Sequence, residues 1–300
     1  MVTSVCILVL STLYFLPLLV TPYKRRYWKT SEPSIQNEIQ VLNVTDRKMC
    51  LLHVGKASGS SFRTQFANGR KRIAHPRALP ALKIWKEFHT NDSPPTNESL
   101  QSCDYVIAWV RNPIERLVSA YNMVFNQEWY KELSSASVKR GNLLLKTRET
   151  LESYGSLSDL AEQLSKNNTQ AQMSLDKIEH VKYNHAYYFN AMFDKDGTTN
   201  EAFLQKLVFI GSTECYEEDI KRFASLFNVS NEFISRSAIA HMRKNNVTGK
   251  NLSQVATHNL QSYLHEDYKI LNALMDLDLI PCERLQRQLR SWREGAGINL

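Results

Sequence analysis

Glycine and proline are scarce in this chain, with 10 Gly and 9 Pro in 300 residues. That excludes a collagen-like or low-complexity protein. A hydrophobic share of 43% likewise excludes a wholly disordered one. No internal repeat is present, which argues against a solenoid or propeller. The phosphate-cradling sequence GxxxxGK[ST] is missing, which counts against an ordinary P-loop kinase or nucleotide hydrolase. The five cysteines include no CxxC or other metal-like spacing, and no cluster of residues suggests a metal. No motif that reads DNA or RNA accompanies the basic residues.

Charge is missing in one place that matters. Residues 1–23 carry no charged side chain, and Val5–Val20 (VCILVLSTLYFLPLLV) is an almost unbroken apolar run. Its span of about 17–20 residues reaches the lower limit for a membrane-crossing helix. Small residues do not close the run and no basic residue precedes it, so it reads as an uncleaved signal-anchor rather than a cleaved signal. Lys24-Arg25-Arg26 follow it directly, and the positive-inside rule then argues for a cytoplasmic C-terminal side. Two features argue the opposite. Asn-x-Ser/Thr sequons occur at Asn43, Asn91, Asn97, Asn167, Asn228, Asn246 and Asn251, where composition predicts about three by chance. Beyond the apolar run, Cys50, Cys103, Cys215 and Cys282 form an even set suited to two disulfides. The expected organisation is an anchor over 1–23, a stem over 24–48 and one luminal catalytic domain over 49–300.

Within that domain, MCLLHV from Met49, DYVIAWV from Asp104 and LVFI from Leu207 are short continuous apolar runs. Alternating with helical patterns, such runs predict an α/β fold with a parallel sheet flanked by helices. Neighbouring parallel strands would bring Cys50 to Cys103, leaving Cys215 for Cys282. A loop is expected over 90–102, one helix from Ile114 to Asn126, and a continuous helix over 253–277. The excess of 37 Lys and Arg over 30 Asp and Glu, a net charge of +7, favours anionic partners.

Two motifs follow directly on predicted strands, where ligands bind in such sheets. The first, His53-Val-Gly-Lys56-Ala-Ser58-Gly59-Ser60-Ser61-Phe62, is a small-residue turn opening a helix. It would expose backbone N–H groups, serine hydroxyls and the Lys56 ammonium to a phosphate or sulfate. The second is Val110-Arg111-Asn-Pro113-Ile-Glu-Arg116-Leu-Val-Ser119-Ala-Tyr121-Asn122. Arg111 and Ser119, two helical turns apart, would grip one phosphate from two sides, while Arg116 would pair with a nearby carboxylate.

HVGKASGSSF resembles the 5′-phosphosulfate-binding loop HxPKTGGTS of the carbohydrate sulfotransferases, and VRNPIERLVSAYN resembles their 3′-phosphate motif RxPxxRxxSxY. FIGSTECYEEDI, HMRKNNVTGKNLS and NLQSYLHEDYKILNALM are similar to later family segments. The likeness is to Golgi membrane-bound O-sulfotransferases of the heparan or uronyl 2-O and galactose 3-O types. It implies a P-loop-like core, a donor, 3′-phosphoadenosine 5′-phosphosulfate (PAPS), a carbohydrate acceptor and no metal. It places Lys56, Ser58, Gly59, Ser60 and Ser61 on the 5′-phosphosulfate, Arg111 and Ser119 on the 3′-phosphate, and Arg243 and Lys244 on a loop closing over the donor. The first motif departs from the pattern at Gly55, Ala57 and Ser58.

A sugar hydroxyl gains from a general base, and histidine suits that role near neutral pH. The family tends to carry a histidine between the two motifs, which favours His89, with His180 as second choice. His53 reads as loop support. Arg63, Arg70–Arg72, Arg77, Lys83 and Lys86 would track an acidic glycan. The alternative is a non-catalytic glycan- or nucleotide-binding protein on the same fold.

Overall fold

The computed structural model describes residues 42, 47–58, 62, 84–89, 93–125, 138–166, 168–193, 198–228 and 251–296. These all belong to the compact unit Pro33–Leu300. Among them no helix is long and apolar enough to cross a membrane. The apolar run and the stem up to residue 41 lie outside the described residues, as does most of the basic run over 63–83.

Four strands form one sheet: β1 (Met49–Leu52), β2 (Ile84–Phe88), β3 (Tyr105–Val110) and β4 (Leu207–Ser212). All pairings are parallel and the order is β2-β1-β3-β4. The helices used below are α1 (Asn97–Gln101), α2 (Pro113–Val124), α3 (Glu179–Lys182), α4 (His185–Tyr188), α5 (Tyr216–Leu226), α6 (Gln254–Tyr263), α7 (His265–Asp276) and α8 (Glu283–Gly295). The chain leaves β1 toward β2 on one side and β3 toward β4 on the other. Strand order therefore reverses between β1 and β3, which is where open parallel sheets bind ligands.

Alternate residues feed two cores, as strand geometry requires. Met49, Leu51, Ile107, Trp109 and Phe209 pack against Tyr216, Ile220, Phe223 and Phe227 on one face. Cys50, Leu52, Val106, Ala108, Val110 and Ile210 meet the larger helical layer on the other. Both faces are covered, which is why these strands read as unbroken apolar runs. Gly211 is required here, because a Cβ would stand 2.6 Å from the buried Trp109 ring.

Both expected disulfides are present, Cys50–Cys103 and Cys215–Cys282. The first joins β1 to the residue region just ahead of β3, its neighbour in the sheet. The sequons at Asn97, Asn228 and Asn251 are exposed.

Three expectations change. β2 was not foreseen: Trp85 and Lys86 are exposed and only Phe88 is buried, so this strand lacks the apolar run that marks the others. The stretch read as a loop over 90–102 contains α1, closed by reciprocal Thr96 and Ser99 side-chain bonds that form a capping box. The continuous helix over 253–277 is two helices separated at Leu264, with no glycine or proline at the break. α2 begins as expected with Pro113 in its first turn. Asn112 caps it, its side-chain oxygen accepting from the N–H groups of Ile114 (3.0 Å) and Glu115 (3.2 Å).

Candidate functional site

The segment after β1 turns tightly before the next helix opens. Lys56 (φ 66°) and Ser58 (φ 62°) both adopt the left-handed conformation, and Ala57 between them does not. Alternation of this kind points successive N–H groups toward one point and makes an anion-binding concavity. It costs roughly 1–2 kcal/mol for each non-glycine residue. The family pattern has glycine where Ser58 stands, and the φ angle supplies the reason. Ser58 is held by a hydrogen bond between its Oγ and Thr213 Oγ1 at 3.0 Å, tying the β1 turn to the end of β4. Ser58→Gly relieves the backbone and Ser58→Ala does not, while both lose the Thr213 bond. The Gly variant should thus be the more stable by about 1 kcal/mol, or roughly 2–4 °C in Tm, in paired thermal melts. Equal melting temperatures would refute the strain.

Arg111 leaves β3 at the same edge. Its Nη1 donates to the Lys56 carbonyl at 3.3 Å, and Nη2 lies 3.5 Å from Glu115. Burial lowers the Arg111 pKa, opposed by the charges of Glu214 and Glu115. Glu214 stands two residues past the end of β4. It is half-buried: Oε1 accepts from the Asn112 N–H at 2.8 Å, and Oε2 is buried with no partner among the described residues. Burial raises its pKa. Ser119 lies half-buried in the middle of α2.

Three imidazoles meet beside this turn. His53, buried just past β1, donates its N–H to the Phe88 carbonyl of β2 at 3.0 Å, so His53 and His89 each follow directly on one of two adjacent strands. Their rings are edge-to-face with centroids 4.4 Å apart, and His89 meets His180 in the same way at 5.8 Å. His53 Nδ1 also contacts Glu87 Oε1. His89 is half-buried, whereas His180 is buried in α3. The His180 ring occupies the space a side chain at residue 55 would need, which accounts for Gly55 in place of the pattern's proline. Burial first, then the charges of Lys56, His89, Arg116 and His53, push the His180 pKa well below its ordinary value. Its Nδ1 has no partner among the described residues. Among those residues no group of three or more His, Cys, Asp or Glu side chains is arranged to hold a metal ion.

Arg116 holds this arrangement from below. The nearby carboxylate expected for it is replaced by two carbonyls and a distant acid. Nη1 donates to the His180 carbonyl at 2.9 Å, Nη2 donates to the Tyr183 carbonyl, and Asp267 lies 4.0 Å away. Asp267 in turn accepts from the His185 backbone N–H at 2.9 Å and contacts its Nδ1. Burial alone would raise the Asp267 pKa, but Arg116 and His185 outweigh it and hold the carboxyl below its usual range. Tyr188 closes the layer, its hydroxyl accepting from the Gly55 N–H at 3.4 Å.

The carboxyl edge of the sheet thus gathers Lys56, Ser58, Arg111, His89 and His180 from separate parts of the chain. Gly59, Ser60, Ser61, Arg243 and Lys244 lie outside the described residues. Sequence reasoning missed Glu87, Tyr188 and Asp267 as members of this neighbourhood. Only Glu87 carried a signal, standing two residues before His89.

Compared with known proteins, residues 40–274 match the sulfotransferase family. No curated protein and no solved structure gives a significant match.

Proposed function

The chain belongs to the sulfotransferase family, and on that footing we propose that it transfers a sulfuryl group from PAPS to a hydroxyl of a carbohydrate. The observation carrying this reading is the meeting of the left-handed Lys56–Ser58 turn with Arg111 where strand order reverses. The turn and two cations, Lys56 and Arg111, meet there, at the edge where such sheets take a phosphate-bearing ligand.

PAPS, when bound, supplies the activated sulfuryl group and a phosphate leaving group. Sulfuryl transfer resembles phosphoryl transfer in relying on alignment and charge stabilisation. The β1 turn, with Lys56 and Ser58, holds the 5′-phosphosulfate, and Lys56 neutralises the charge that builds on the oxygen bridging phosphorus and sulfur. Arg111 and Ser119 hold the 3′-phosphate. Gly59, Ser60, Ser61, Arg243 and Lys244 complete the donor site by the family pattern. His89 takes the proton of the acceptor hydroxyl as that oxygen bonds to sulfur, and the electron pair of the broken S–O bond leaves with the phosphate. Partial exposure at the strand end suits His89 to reach an acceptor, whereas the His180 ring is enclosed against Gly55. His180 packs the turn and remains second choice for the base.

The disulfides and the exposed sequons support an oxidising, glycosylating compartment. We place the protein as a single-pass type II protein of the Golgi membrane with residues 49–300 luminal and an acidic glycan as acceptor. Nucleic acid is not a partner on this reading.

The test incubates purified protein with radiolabelled PAPS and a panel of glycans. Transfer to at least one glycan supports the reading; donor binding with no transfer favours a non-catalytic binding protein. Within it, His89→Ala should lower kcat by roughly 10²–10⁴-fold while leaving donor affinity unchanged. If only His180→Ala behaves so, His89 is not the base.

A further inference from the structure

The Glu87–His53 pair lies beside His89. Glu87 stands on β2 two residues before His89, and its carboxylate contacts Nδ1 of His53. The His53 ring is buried and packs edge-to-face against His89 at 4.4 Å. The contact of Nδ1 with Glu87 fixes the plane of the His53 ring, and that plane forms one wall of the His89 position. The other wall is His180 at 5.8 Å, at 80° to His89. The charge around this row is lopsided. His180 comes from α3 and Lys56 from the turn, Arg116 lies behind His180, and Lys86 sits next to Glu87 over the Phe88 ring. Glu87 brings a carboxylate into contact with the row.

We propose that Glu87, acting through His53, is a positioning residue for His89: the pair fixes the His89 ring and its negative charge favours the imidazolium formed when His89 takes a proton. This rests on His89 being the base of the proposed transfer, so the test includes a readout that needs no turnover. The proton involved moves from acceptor oxygen to His89 alone, and Glu87 and His53 exchange none.

The experiment follows the imidazole resonances of the ¹⁵N-labelled full chain against pH, with His89→Ala identifying the His89 signal. In Glu87→Gln a negative charge close to His89 is lost, so the His89 titration midpoint should fall by roughly one pH unit. Glu87→Asp, which keeps the charge, should restore most of that fall. Glu87→Thr suits a partly exposed strand position and reads the same shift should the Gln variant not fold. In turnover, Glu87→Gln should lower kcat roughly tenfold with KM for PAPS unchanged. The acid limb of its kcat–pH profile should move to lower pH by the amount seen in the resonances. A midpoint that stays put in the neutral variants, or that the Asp variant does not recover, overturns the proposal and leaves Glu87 a structural partner of His53. A wild-type chain that binds donor and transfers to nothing refutes the proposed function instead, and the midpoints still decide whether Glu87 acts on His89.

Discussion

Arg116→Met is expected to cost about 3–5 kcal/mol of stability, a fall in Tm of roughly 10 °C for a domain of this size. The Arg116 guanidinium is 2% exposed and satisfies the carbonyls of His180 and Tyr183 while facing Asp267. Methionine fills a similar volume, so the loss is not mainly a cavity. It strands the buried His180 carbonyl and the partly buried Tyr183 carbonyl, with a desolvation penalty of roughly 1–3 kcal/mol for a buried one, and leaves the Asp267 carboxylate to His185 among the described residues. Arg148→Met is the control. Arg148 pairs with Glu152 one helical turn away near the surface, and such pairs contribute about 0.3–0.5 kcal/mol. Denaturant unfolding of both variants measures the contrast. An Arg116→Met protein within 1 kcal/mol of wild type would mean the buried cluster is not a strut of the fold.

Arg111→Ala should leave the fold intact and weaken binding of 3′-phosphoadenosine 5′-phosphate by about 100-fold, since truncating one member of a desolvated charge pair costs 2–5 kcal/mol. The structural contacts of Arg111 are modest. One long hydrogen bond reaches the Lys56 carbonyl and one surface-side pair reaches Glu115, so its burial at the strand end serves a ligand better than it serves packing. Arg111→Lys should recover only part of the affinity, because an ammonium lacks the planar fork that grips two phosphate oxygens. Calorimetric titration gives the affinities directly. Binding within threefold of wild type would remove Arg111 from the donor site and with it the main support for the proposed reaction.

Much of the scaffold was readable along the chain for one physical reason. Strands buried on both faces must be apolar at every position, so β1, β3 and β4 announced themselves. Among the described residues β2 pairs only with β1 and exposes Trp85 and Lys86, and an edge strand of that kind carries no such run. The break at Leu264 was equally silent. It follows from where Asp267 must sit in the first turn of α7 to meet Arg116 and His185, and nothing local marks it. Cysteine pairing was legible because parallel neighbours start side by side, which brings Cys50 in β1 near Cys103 just ahead of β3.

The candidate site divides in the same way. Lys56 and Arg111 stand in motifs whose spacing is fixed by a strand, a turn and a helix start, all local features, and the sequence by itself was enough to mark them and the family they belong to. The partners that decide how those residues sit come from segments far along the chain. Gly55 instead of proline looked like erosion of a motif until the His180 ring was found in the space it vacates. Arg116 read as the partner of a nearby carboxylate until its two carbonyls and Asp267 appeared. Contacts of that kind depend on how helices dock on the sheet, which no spacing along one segment records. The chain alone determined the chemistry it carries at each strand end; the packing of α3, α4 and α7 decided which histidine is enclosed, which is open, and which carboxylate stands behind it.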